Sequence, residues 1–172
     1  EIMSLNKAIA FSEGRRGVIL AGPPVSLNEA NAPSVDVKAI AEKVPVLAIC
    51  YGAQLTAKLF GGIVEKSDKR EFGRAKLQVK DNHELLKDVK NDSDVWMSHG
   101  DTITRLPEQF SLLALTHHIP VAAFKSENCI NAIYGLQFHP EVCHSSEVKI
   151  IIKNFLLTIS GLMQDLTSSH FI

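Results

Sequence analysis

Two short segments of the chain, residues 18–21 and 46–49, are apolar without interruption. That pattern is typical of strands covered on both faces, as in a parallel sheet between layers of helices. We therefore predict strands over residues 17–22 and 44–49. Five later segments mix polar and apolar residues and favour strands that include antiparallel hairpins: residues 74–80, 94–98, 110–114, 121–125 and 132–138.

The clearest helix is predicted near the end of the sequence. Six apolar residues there follow the spacing of one helical face: Val148, Ile151, Ile152, Phe155, Leu156 and Ile159. Gly161 is placed to end this helix, and we expect one face of the helix to pack on the sheet. A shorter helix is predicted over residues 35–42, with Ser34 as its N-terminal cap.

These elements predict an α/β fold with an open, mostly parallel sheet flanked by helices and with some antiparallel strands. The 172 residues suffice for one domain with a sizeable core. Such a fold usually opens with a strand and a helix, whereas residues 1–5 resemble the end of a later element. We therefore expect residues 1–162 to form a domain that lacks its first strand and helix, and residues 163–172 to form a linker.

Composition narrows the function classes. Hydrophobic residues make up 45% of the chain and charged residues 22%, with a formal net charge of −1, so there is no basic excess for binding nucleic acid or an anionic membrane. No apolar run of about 18 residues predicts a membrane span, and no secretory signal is indicated. The three cysteines lack CxxC spacing, which disfavours a disulfide framework or a metal site and favours a cytoplasmic location.

Cys50 is the first candidate for chemistry. It stands where the second predicted strand gives way to a small-residue turn and a helix that begins near Tyr51. A tight strand-to-helix turn lifts one side chain above the sheet and directs backbone N–H groups at the same place. The helix N-terminus is also expected to favour the thiolate, because its partial positive charge stabilises an anion. We therefore predict that Cys50 is a nucleophile.

His139 and Glu141 form the second candidate. They follow the last predicted strand and are separated by Pro140, so both side chains can be directed at the carboxyl edge of the sheet, where open α/β folds bind ligands. A histidine there can take the proton of a thiol and return it to a leaving amine. A carboxylate can accept the other imidazole N–H and fix the tautomer.

Four motifs, in this order, resemble the class I (triad) glutamine amidotransferases. They are Ala48-Ile49-Cys50-Tyr51-Gly52-Ala53-Gln54, Arg70-Glu71-Phe72-Gly73, Trp96-Met97-Ser98-His99-Gly100-Asp101 and Gly135-Leu136-Gln137-Phe138-His139-Pro140-Glu141-Val142. The similarity covers nearly the whole chain. Within the family, the Ser-His-Gly-Asp element and the Cys-Tyr-Gly-x-Gln form most resemble the glutaminase domains of GMP synthetases.

The resemblance implies a reaction and a partner. Cys50 would attack the side-chain amide of glutamine, release ammonia and form a γ-glutamyl thioester that water hydrolyses to glutamate. An ATP pyrophosphatase (synthetase) domain or subunit would use the ammonia to aminate adenylated XMP to GMP. ATP and Mg would serve that partner, no cofactor is expected in this domain, and the full enzyme would be a homodimer.

The resemblance also implies roles for further residues. Gln54 and the backbone around Ser98, Gly100 and Asp101 would hold the glutamine. The Tyr51 amide would supply one oxyanion donor. By the same resemblance His99 has a structural role in shaping the pocket.

Two positions depart from the family pattern. Ala48 replaces the usual glycine before the nucleophile and adds one methyl group at a close strand-helix contact. Where the family usually reads Ser-Gly-Gly-Pro, this chain reads Ala21-Gly22-Pro23-Pro24. Pro23 has no N–H and cannot give the donor that the second glycine normally supplies. We therefore expect the Gly22 amide to turn toward the site when substrate or partner binds.

Two other functions remain open on the sequence alone. Pro23 favours a catalytically silent amidotransferase-like domain that binds or regulates a synthetase. A cysteine hydrolase of free γ-glutamyl substrates, working without a partner, is the second. A papain-like peptidase is disfavoured because the cysteine signature of that family is absent.

Overall fold

The computed structural model describes residues 14–142 and 146–163, and it describes the side chains of all of these except residues 68–71 and 146–148. Its strands are β1 Val18–Leu20, β2 Val46–Ile49, β3 Ile63–Val79, β4 Ser93–Arg105, β5 Phe110–Leu115, β6 Ala123–Ser126 and β7 Ile133–Leu136. Its α-helices are α1 Val37–Ala41, α2 Tyr51–Leu59 and α3 Ser146–Lys153. A 3₁₀ turn, Glu84–Leu86, and a π-helical segment, Asn154–Ile159, complete the described elements. Residues 164–172 of the predicted linker over residues 163–172 lie outside the described residues.

The seven strands form one sheet in the order β1-β2-β7-β6-β5-β3-β4. β1, β2 and β7 are parallel to one another, whereas the remaining four pairings are antiparallel. The α/β class and the seven predicted strand positions are therefore confirmed. The expected predominance of parallel pairing is not found in the described sheet, because short connections join β5 to β6 and β6 to β7, and such connections link antiparallel strands. The parallel part of the sheet carries Cys50 and the residues before His139.

β2 is covered on both faces, as its apolar sequence predicts. Val46 and Ala48 pack in one apolar cluster with Ile40 of α1 and Leu55 of α2. Leu47 and Ile49 pack in a second cluster on the other face of the sheet, which includes Ile151 of α3 and Phe155 of the π-helical segment. Alternate β2 side chains point to opposite faces, so helices on both sides exclude water from this strand.

The helix ends differ in one respect from the sequence prediction. Helix α1 is capped by Asp36, whose side chain accepts a hydrogen bond from the Ala39 N–H at 3.1 Å, so the assignment of the cap to Ser34 was wrong. A carboxylate and a hydroxyl two residues apart are both good caps, and the register of the buried face selects Asp36. Gly161 has φ +61° after the last helical turn and ends that helix as predicted.

The longest pairing is the β3–β4 hairpin. The sequence predicts strands over residues 74–80 and 94–98 only. In the structure β3 already begins at Ile63 and β4 continues to Arg105, with a register irregularity between Lys66 and Glu71. In the described part of the chain no helix is long and apolar enough to cross a bilayer.

Candidate active site

Cys50 occupies a strained turn between β2 and α2. Its backbone adopts φ 50° and ψ −104°, a conformation that costs a non-glycine residue free energy and that clusters at functional sites. The Cys50 N–H donates to the Leu136 carbonyl at 2.7 Å, and its carbonyl accepts from the Gln54 N–H at 3.1 Å. The turn is therefore held by both a strand contact and the first helical bond, and this is the strand-to-helix turn that the sequence predicts.

Gly52 allows the turn to pack tightly. A Cβ atom at this position would lie 2.1 Å from the Leu20 carbonyl oxygen, closer than any normal contact. Only glycine lets the first turn of α2 approach the end of β1 this closely. The packing keeps Cys50 at the carboxyl edge of the parallel strands.

The Cys50 thiol is protonated in the resting protein. Burial raises its pKa from 9.0 to about 11; the Tyr51 backbone N–H opposes this shift, and the negative charge of Glu141 adds to it. The N–H at the helix N-terminus thus lowers the thiol pKa as expected, but desolvation raises the pKa by more than the helix end lowers it. A base is therefore needed to generate the nucleophile.

His139 and Glu141 form a close pair in the loop after β7. The His139 Nδ1 atom lies 2.7 Å from Glu141 Oε1, which leaves Nε2 as the nitrogen that can serve a thiol. The loop is anchored by a hydrogen bond from the His139 N–H to the Trp96 carbonyl at 2.9 Å. The Cys50 thiol itself donates to the Ser98 carbonyl at 3.8 Å. A hydrogen bond between the thiol and His139 stays a prediction.

Strand β4 holds the elements of the site together through its backbone. The Trp96 carbonyl binds the His139 loop, the Ser98 carbonyl accepts from Cys50, and the Asp101 carbonyl accepts from Gln54 Nε2 at 2.8 Å. Because side chains alternate along a strand, Ser98 and Gly100 are exposed. Asp101 faces inward and is only 4% exposed.

Gln54 is a buried residue of α2. It is 3% exposed, and its side-chain amide donates to the Asp101 carbonyl. In this arrangement Gln54 fixes β4 relative to α2. Its binding of a substrate stays a prediction, as does that of Ser98, Gly100 and Asp101.

Gly22 and Tyr51, the two predicted oxyanion donors, lie in contact. A Cβ atom on Gly22 would be 2.3 Å from Tyr51 Cδ1, so the glycine backbone rests against the tyrosine ring. The Tyr51 N–H acts on the Cys50 sulfur, since it lowers the thiol pKa. The tyrosine hydroxyl donates to the Pro33 carbonyl.

Two buried polar side chains near His139 lack hydrogen bonds. Both ring nitrogens of His99 and both amide atoms of Gln137 have no partner among the described residues. Burial lowers the pKa of His99. The Asp101 backbone acts in the opposite direction, and the nearby His139 adds to the lowering. Burial therefore favours the neutral form of the His99 imidazole. Sequence reasoning assigned Gln137 no role, because a glutamine in a strand carries no distinguishing signal.

Ser26 is the other residue that the sequence did not single out. Its hydroxyl donates to Asp101 Oδ2 at 2.6 Å across 75 positions of sequence, and no local pattern predicts such a contact.

Among the described residues, no group of three or more His, Cys, Asp or Glu side chains could hold a metal ion.

The sequence matches the family Glutamine amidotransferase class-I over residues 2–159. It is similar to the GMP synthase (glutamine-hydrolyzing) of Cytophaga hutchinsonii, with 45% identity over 173 residues that cover 100% of this chain and 34% of that protein. The corresponding protein of Dehalococcoides mccartyi is 48% identical over 158 residues, covering 91% of this chain and 29% of that protein. The chain thus spans about a third of the length of these relatives.

Two solved structures have a fold similar to that of this chain. A Thermoplasma acidophilum protein described as a candidate subunit of GMP synthase superposes with a TM-score of 0.77 at 29% identity, covering 94% of this chain and 80% of that chain. A glutamine amidotransferase from Thermotoga maritima gives a TM-score of 0.61 at 22% identity, covering 81% and 62%, and shows likeness of fold alone.

Proposed function

The chain belongs to the class I glutamine amidotransferase family, and on that premise we propose that it hydrolyses glutamine to glutamate and ammonia with Cys50, His139 and Glu141. The ammonia serves the amination of XMP to GMP by a synthetase domain or subunit. The naming of its relatives as glutamine-hydrolysing GMP synthases supports this substrate and this product.

One observation carries the proposal. A cysteine with φ 50° sits at the N-terminus of α2, at the same sheet edge as a histidine whose Nδ1 is held 2.7 Å from a carboxylate. A strained thiol position costs folding free energy, and a paired imidazole with one free nitrogen is suited to proton transfer. Acyl transfer by a covalent thioester uses both features.

In the first half-reaction His139 Nε2 takes the Cys50 proton, and the sulfur attacks the side-chain carbonyl carbon of glutamine. The carbonyl oxygen becomes an oxyanion, to which the Tyr51 amide donates. The C–N bond then breaks, and the amide nitrogen leaves as ammonia with the proton held by His139. The resting thiol has a pKa of about 11, so proton removal by His139 is an essential step.

In the second half-reaction water attacks the γ-glutamyl thioester. His139 takes a proton from the water, the C–S bond breaks, and the proton passes to the Cys50 sulfur. Glutamate leaves and the thiol is restored. Glu141 stabilises the imidazolium that forms in each half-reaction.

The partner part of the proposal concerns residues beyond this chain. ATP and Mg would act in the synthetase unit, which activates XMP for attack by ammonia. The full enzyme is proposed to be a cytoplasmic homodimer. Coupling between the two units would keep ammonia production low until the synthetase site is filled.

Pro23 favours one competing function, a silent domain that binds or regulates a synthetase, because this residue cannot donate to an oxyanion. Ammonia release from glutamine distinguishes the two. We expect the wild-type protein with a synthetase partner, XMP and ATP to release ammonia and the Cys50→Ala variant to lose this activity while it keeps the same melting temperature. No ammonia from the wild-type protein under these conditions would favour the silent domain, and an active Cys50→Ala would refute the nucleophile.

A further inference from the structure

The loop after β1, residues 21–27, has few backbone donors to offer an oxyanion. Pro23 and Pro24 have no N–H. Three other amides are occupied: Val25 N–H by the Pro23 carbonyl at 2.9 Å, Ser26 N–H by Glu29 Oε1 at 3.4 Å and Leu27 N–H by Asp101 Oδ2 at 3.0 Å. The Gly22 amide has no hydrogen-bond partner among the described residues. It also lies against the Tyr51 ring, one residue from Cys50.

The position of this loop is fixed at its far end by Asp101. One carboxylate oxygen, Oδ2, accepts from both the Ser26 hydroxyl at 2.6 Å and the Leu27 N–H at 3.0 Å. Lys58 of α2 adds a bond to the Leu27 carbonyl at 3.3 Å. The short segment from Gly22 to Leu27 is thus tied to β4 and to α2.

Because the Asp101 carboxylate is buried, it depends on hydrogen bonds from the loop. The side chain is nearly inaccessible, and no Lys or Arg whose side chain the structure describes forms an ion pair with it. A buried carboxylate without a cation is costly unless hydrogen bonds compensate for the lost water. Here the compensating donors come from the loop, so the loop position and the solvation of Asp101 depend on each other.

The same residue also contacts the helix behind the nucleophile. Its backbone carbonyl accepts a hydrogen bond from Gln54 Nε2. Gln54 lies one helical turn after Cys50, and the Gln54 N–H donates to the Cys50 carbonyl. Asp101 therefore joins three parts of the site: strand β4, helix α2 and the loop that carries Gly22.

We propose that Asp101 is a positioning residue of the oxyanion site, and that its carboxylate, through Ser26 and Leu27, sets the position of the Gly22 amide relative to the Cys50 sulfur. This inference rests on the proposed glutaminase function. Loss of the Ser26 bond lets the loop shift, which weakens the second oxyanion donor in the transition state without removing a group that binds the ground state.

Ser26→Ala tests this, because Ser26 touches neither Cys50 nor His139 in the structure. We expect kcat for ammonia release to fall by about tenfold or more, while KM for glutamine changes by less than about twofold. Ser26→Thr keeps a hydroxyl and should restore most of the rate. The matched control is Ser93→Ala, which removes a hydroxyl that also makes a 2.6 Å bond, to the Lys90 carbonyl, away from the site.

A second measurement detects movement of the loop and does not require catalysis. Hydrogen exchange of the Leu27 amide, which donates to Asp101 Oδ2, should be faster in Ser26→Ala than in wild type and unchanged in Ser93→Ala. Wild-type kcat in Ser26→Ala, or unchanged exchange at Leu27, overturns the positioning role. Failure of the wild-type protein itself to release ammonia refutes the glutaminase proposal instead, and the exchange measurement still decides whether Asp101 holds the loop.

Discussion

His139 Nδ1 lies 2.7 Å from Glu141 Oε1, two residues along the same loop. The pair is set by local geometry, because Pro140 between them restricts the backbone. The position of the pair relative to Cys50 depends on contacts with distant segments. The His139 N–H donates to the Trp96 carbonyl of β4, and the Leu136 carbonyl of β7 accepts from the Cys50 N–H. Substitutions of the paired residues and of residues packed around Cys50 can therefore test the local and the long-range contributions separately.

Replacing Glu141 by Ala should lower kcat for glutamine hydrolysis by about a hundredfold or more, because the imidazolium loses its carboxylate and the tautomer is no longer fixed. Glu141→Gln should lose less, since an amide oxygen can still accept from the ring. Steady-state ammonia release measures both. Glu108→Gln, on an exposed loop residue, is the control, and a Glu141→Ala enzyme with wild-type kcat would remove Glu141 from the mechanism.

The rate at which iodoacetamide alkylates Cys50 should be low at neutral pH and should keep rising beyond pH 9. Burial raises the pKa of this thiol to about 11, so the thiolate fraction keeps rising through that pH, where a thiol with the ordinary pKa of 9.0 would already be almost fully ionised. The rate is measured by mass spectrometry, with the Cys50→Ser variant subtracting alkylation at the other cysteines. A plateau below pH 8 would mean that the resting site holds a thiolate.

Gly52→Ala should destabilise the fold by about 1–3 kcal/mol or more, because the added Cβ would meet the Leu20 carbonyl oxygen at 2.1 Å. Gly100→Ala is the matched control for stability, since nothing lies within 4 Å of its Cβ position. Urea unfolding gives both free energies. Equal stabilities would show that α2 can move away from β1 at little cost.

Pro23→Gly should leave kcat for ammonia release within about threefold of wild type, because the Gly22 amide is proposed to supply the second oxyanion donor and one more N–H in the loop adds little. Pro24→Gly adds an N–H one residue further along and is the matched control. Steady-state ammonia release measures both variants. A hundredfold to thousandfold gain in Pro23→Gly alone, which is what a missing oxyanion donor typically contributes, would show that Gly22 does not fill this role.

The chain by itself should hydrolyse glutamine slowly, and adding a synthetase partner with XMP and ATP should raise the rate. The physical reason is that the resting site holds a protonated, half-buried thiol bound to the Ser98 carbonyl, so a rearrangement must precede attack. Ammonia release with and without the partner measures the coupling. A full rate from the chain alone would show that this regulation is absent.

Residue patterns along the chain are sufficient to predict β1 and β2, the turn at Cys50 and the neighbouring side chains of His139 and Glu141. Each of these depends on residues adjacent in the chain: an apolar run with water excluded from both faces, a small-residue turn, and two side chains separated by one proline. Local sterics and burial act over such distances, so the pattern suffices to predict them.

Contacts between distant segments set the thiol pKa, the full length of β3 and the hydrogen bonds between Asp101 and the loop. Desolvation of Cys50 depends on everything packed around it, and the helix end that favours the thiolate is one contribution among several. Ser26 and Asp101 are 75 residues apart. Their bond forms because β4 and the loop after β1 meet at one edge of the sheet, where a buried carboxylate must find donors from whichever segment lies beside it.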